Sequence, residues 1–141
     1  MLVEVEEQSY LNKKPSIREE NKNIPNLSPY EKILFGLKAK ETKRQYPKRF
    51  QVFLDFIEIK SPSIRDNCNA FYDFVSNANN TGIIEDALFR FFAVQNQRAG
   101  SEEISTETIK NYFKPIKLFC EMNNILINWK IVSKIFIMVI G

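Results

Sequence analysis

The stretch Lys38–Ile57, KAKETKRQYPKRFQVFLDFI, sets Tyr46, Phe50, Phe53, Leu54 and Ile57 at i, i+4, i+7, i+8 and i+11. That spacing lines one face of an α-helix and marks the face as buried. Away from it lie Lys40, Lys43, Arg44 and Lys48, with Lys38 and Arg49 nearby and Glu41 as the sole acid. Six bases and one acid give a net +5 over the twelve residues from Lys38 to Arg49, against +3 for the whole chain, so the remainder is slightly acidic. Charge concentrated on one rigid helix suits a polyanion such as a nucleic-acid backbone. A Lys/Arg run taken alone equally describes a solvated surface face. Pro47 removes one backbone donor inside this helix, and the reading is a kinked or two-piece helix whose register continues across it.

Further helices are legible on both sides. Upstream, LSPYEKILFGLK offers Ser28 as an N-cap, Pro29 at the first position and Glu31 at capping-box spacing, with Ile33, Leu34 and Leu37 as the apolar side. Downstream, Ser61, Pro62 and Ser63 break the chain. Ile64, Cys68, Phe71, Tyr72 and Val75 then mark a helix from about Ser63 to Asn77, followed by the polar loop SNANNTG. Ile84, Ala87, Leu88, Phe91 and Val94 mark another, opening near Thr81 or Ile83 and ending at Gly100. Phe89 and Phe92 widen its apolar arc, which predicts a central position in the bundle.

Ser105 caps the next helix, with Glu107 in its first turn. Ile109, Tyr112, Phe113, Ile116, Phe119 and Cys120 face inward, while Lys110, Asn111, Lys114 and Lys117 face outward, with Thr106 and Thr108 at its start. A second helix that is basic outside and aromatic inside strengthens the nucleic-acid reading. Asn123 and Asn124 end it, and ILINW reads as an extended exit strand. Residues 1–27 show no sustained apolar period and read as a disordered segment. Residues 28–129 read as the folded domain, and 130–141 as an apolar tail, too short to span a bilayer as a helix, that either packs as a sixth helix, forms an exposed interaction segment or results from a truncated reading frame.

Composition narrows the chemistry. A chain of 141 residues suffices for one domain. Twelve Phe, five Tyr and one Trp beside only four Gly favour an all-α bundle of four to five helices. Histidine is absent, which removes the commonest general base and metal ligand. Glu85-Asp86 and Glu102-Glu103 sit at a helix start and in a loop, where capping and solubility explain them. No metal cluster or phosphate-cradling glycine loop is present, so neither a cofactor nor a small-molecule substrate is expected. Cys68 and Cys120 fall on apolar sides, as reduced core thiols of an intracellular, cytoplasmic protein. No targeting segment is read at the start.

The order of these elements resembles the core-binding domain of the tyrosine recombinase (phage integrase) family, a SAM-like helical domain, with wording similar to archaeal members. One landmark is Thr42, Tyr46 and the run Phe53, Leu54 and Phe56. The other is Ser105, Thr108 and Ile109 leading through Phe113 and Phe119 to Asn128. The resemblance covers about Glu41 to Trp129. It implies a small orthogonal bundle forming half of a clamp on double-stranded DNA. It assigns contacts to Thr42, Lys43, Arg44 and Lys48 on one helix, with Lys40 beside them, and to Thr106, Lys110, Asn111, Lys114 and Lys117 on the other.

Trp129 stands where many members have proline, and Pro47 and Pro115 interrupt helices that are often free of it. The catalytic domain of the family has no counterpart here, and none of Tyr10, Tyr30, Tyr46, Tyr72 or Tyr112 takes the nucleophile's role. The expectation is therefore a non-catalytic, truncated DNA-binding module. The alternative is a helical interaction module that dimerises or docks on a full-length recombinase.

Overall fold

The computed structural model describes residues 26–77 and 80–134. Among the described residues six helices follow one another: α1 (Pro29–Phe35), α2 (Lys40–Phe56), α3 (Ile64–Ser76), α4 (Thr81–Gly100), α5 (Thr106–Met122) and α6 (Trp129–Val132). The all-α class is as expected, and α6 adds one short helix to the predicted set. The expected disorder of 1–27 falls almost wholly outside the described residues, as does the tail beyond Lys134.

Local chemistry sets the helix starts. The Ser28 hydroxyl accepts from the Glu31 backbone N–H at 3.2 Å, and the Ser28 N–H donates to Glu31 Oε1 at 2.9 Å, completing the capping box. Ser63 accepts from the Asp66 N–H at 3.1 Å, and Ser105 from the Thr108 N–H at 3.1 Å. Each supplies an acceptor that the first turn lacks.

The structure changes the expectations at Pro47 and at the exit. α2 is one continuous helix through Pro47, whose ring is buried, which removes the two-piece reading. Burying the ring offsets the one hydrogen bond that it cannot make. At the exit, 125–128 is irregular, and no strand occurs among the described residues. A lone strand in a helical domain would have no neighbour to pair with. Instead Asn128 Oδ1 accepts from the Ile131 N–H at 3.2 Å, and the Asn128 N–H donates to Glu85 Oε2 at 2.7 Å, pinning α6 to α4. Val132, which the sequence reading left in the tail, is fully buried. The packed domain therefore extends past Trp129.

The core is an aromatic cluster in which Phe50, Phe53, Phe71, Phe91, Phe92 and Phe119 are all buried. Most of their contacts are edge-to-face, including Phe50 on Phe71 at 5.5 Å and Phe53 on Phe91 at 5.3 Å. This arrangement sets the positive ring edge against the negative face. The most extensive packing between helices is that of α2 on α5, and α5 also meets α1 and α4. The central place predicted for α4 thus belongs more to α5. α4 buries Phe91 and Phe92 but leaves Ile83 and Val94 exposed. Behind the aromatics, buried Asn67 ties α3 to α2: its Nδ2 donates to Gln51 Oε1 at 2.9 Å and its Oδ1 accepts from Ser61 Oγ at 2.8 Å.

Candidate nucleic-acid interface

α2 and α5 pack through their apolar faces, and one edge of that contact is open at the surface. There a groove of about 520 Å³ is lined by Tyr46 from α2, by Leu37 from the loop before it, and by Phe113, Lys114, Lys117 and Glu121 from α5. The Lys117 ammonium lies 6.0 Å from the centre of the Phe113 ring, a cation–π contact that holds it over an aromatic wall.

Along α5, Lys110, Lys114 and Lys117 recur at i, i+4 and i+7, which puts them on one stripe. None of the three makes an ion pair among the described residues, whereas Arg44, Arg65, Arg90 and Arg98 each do. Asn111 is half-buried beside that stripe, and Thr106 is exposed in the first turn. The Thr108 hydroxyl is engaged with Ser105 Oγ at 3.0 Å, so this landmark pair builds a helix cap.

On α2 the candidates divide. With about 100° of rotation per residue, Thr42 and Lys43 lie within about 60° of Tyr46 around the helix. Lys40 lies about 120° away, and Arg44 and Lys48 about 160° away. The structure therefore brings Lys114 and Lys117 together with Tyr46 in one groove; Thr42 and Lys43 share the Tyr46 side of α2, Lys110 shares the Lys114 stripe on α5, and Lys40, Arg44 and Lys48 turn away. Arg44 is further engaged by Glu41: Nη2 donates to Oε2 at 2.6 Å, and Gln45 Nε2 donates to the same oxygen at 2.8 Å. The Arg44 hydrogen bond, followed by that from Gln45, holds the Glu41 carboxyl below the usual carboxylate range. Part of the α2 charge is thus neutralised within its own helix.

Tyr46 and Phe113, on the predicted core stripes, do pack against the core, and both also line the groove. For Tyr46, its place at the N-terminal end of its stripe, next to the polar run, was the available signal. Arg49 also lies on the Tyr46 side, half-buried. Glu121 brings a carboxylate to the groove, seven residues beyond Lys114.

Among the described residues no cluster of three Cys, Asp or Glu side chains could hold a metal ion, and no helix is long and apolar enough to cross a membrane. Both cysteines are free and buried, and desolvation pushes the Cys68 thiol up to about 12 and that of Cys120 higher still. No known protein family, curated protein or solved structure matches the chain.

Proposed function

We propose that this chain is a non-catalytic module that binds duplex DNA through the rim where α2 meets α5. The observation that carries the reading is the α5 stripe Lys110, Lys114 and Lys117, none of which makes an ion pair among the described residues, with Lys114 and Lys117 lining a groove walled by Tyr46 and Phe113. Paired surface cations spend their charge on a neighbouring side chain; unpaired ones on a rigid helix are available to a row of phosphates. Thr42 and Lys43 extend that side across α2. The resemblance of residues 41–129 to the recombinase core-binding domain supports the same partner. Such a module positions DNA and leaves strand cleavage to another polypeptide or domain.

The test is duplex binding followed by fluorescence anisotropy across a salt series. Neutralising four to six phosphates gives a log–log slope of about −4 to −5. Affinity that held constant between low and moderate salt would refute the reading. Supercoiled plasmid incubated with the chain should remain uncut.

A further inference from the structure

A second groove opens at the far end of α2, and its chemistry differs from that of the basic rim. It encloses about 480 Å³ between the ends of α2, α3 and α4, with Phe56, Phe74, Ile83 and Ala87 among its walls and Glu58 and Arg90 also lining it. Phe56 is 39%, Phe74 41% and Ile83 55% exposed, one large apolar side chain from each of three helices. Single exposed apolar residues are ordinary on a protein surface; here three from different helices converge on one concavity.

Its charges indicate the occupant. Glu58, just past the end of α2, makes no ion pair among the described residues. Arg90 lies on the same α4 stripe as Ile83 and Ala87, at i+7 and i+3 from them, and reaches Asp86 only at 3.7 Å with both side chains largely exposed. One acid and one base flanking an apolar centre make a patch complementary to itself. A two-fold axis through such a patch sets each charge against its opposite, because in an isologous contact residue i meets j while j meets i. A polyanion would meet apolar rings and a carboxylate here.

We propose that this groove is a self-association face occupied by a second copy of the chain. Phe74 and Ile83 of each protomer pack into the other's groove, and Glu58 of one protomer meets Arg90 of its partner. This groove shares no lining residue with the groove at the basic rim, so the proposal stands or falls independently of DNA binding.

Sedimentation equilibrium of the full chain, without nucleic acid, tests it. The wild type should show a concentration-dependent monomer–dimer equilibrium, and Ile83→Glu and Phe74→Glu should be monomeric with unchanged helical circular dichroism. Glu58→Arg alone and Arg90→Glu alone should each associate more than about tenfold more weakly, because in a two-fold dimer each substitution turns both symmetry-related contacts into like-charge pairs. An equimolar mixture of those two variants should recover association, because every contact across the axis is again between opposite charges. A wild type that stays monomeric up to about 1 mM, or a mixture no stronger than either variant alone, overturns the proposal.

Discussion

The rings of Phe50 and Phe119 stack with centroids 4.5 Å apart and planes inclined by 27°, joining α2 to α5 at the centre of the domain. Both side chains are fully buried. This contact holds the two basic helices in one relation, so the polar rim inherits its geometry from an apolar pair. Phe50→Ala or Phe119→Ala should each cost about 3–5 kcal/mol of stability. Their double-mutant cycle should return a coupling of about 0.5–1.5 kcal/mol, read from urea midpoints. Strict additivity would mean that the stacking contributes nothing beyond burial.

The division of basic residues around α2 can be measured through salt dependence. Lys114→Gln combined with Lys117→Gln should make the log–log slope for duplex binding shallower by about 2, since each lost phosphate contact removes about 0.9. Arg44→Gln combined with Lys48→Gln should change it by less than half as much. Equal or reversed effects would place the DNA on the outer face of α2 instead.

Acid should weaken the anchorage of α1. The Ser28 backbone N–H, then its hydroxyl, and after these Arg65, favour the ionised form of Glu31 and lower its pKa below the usual value of 4.5. The folded state therefore gains stability from Glu31 above the unfolded pKa and loses it as pH falls through the lower folded value. Glu31→Gln should lower the urea midpoint at pH 7, and the gap to the wild type should close as pH falls below the lowered folded value. A gap that persists in acid would show that packing rather than charge is responsible. Ser28→Ala, which removes the hydroxyl of the cap, should cost about 1 kcal/mol.

The two thiols should be silent in the native protein. With Cys68 raised to about 12 by burial and Cys120 raised further, neither supplies appreciable thiolate near neutral pH. Ellman's reagent should label neither in native buffer and both in denaturant. Rapid labelling of either in the native state would indicate local opening around that helix.

Most of the helices were legible from residues alone because their signals are local. Ser28, Ser63 and Ser105 each cap their own first turn, and the Phe50–Phe53–Leu54 and Ile116–Phe119–Cys120 stripes repeat at helical period. Such features depend on neighbours within four residues, which the sequence displays directly. The exit was misread for the opposite reason. Whether 125–129 is a strand depends on Glu85, forty-three residues away from Asn128, and on the burial of Val132 just beyond it.

The candidate site followed the same rule. Charge density on α2 and α5 was visible in the sequence, since counting charges needs no coordinates. Which of those charges share a surface was decided by the rotation of α2 about its axis, and that rotation is fixed by the distant partners of Phe50, Phe53 and Pro47. Hence Lys114, Lys117 and Tyr46 came together, while Arg44 and Lys48 turned aside. The second groove was invisible in the chain because Phe56, Phe74 and Ile83 belong to three helices and meet only when those helices pack. Periodicity can say that a residue faces inward; only the packed fold says whether anything covers it.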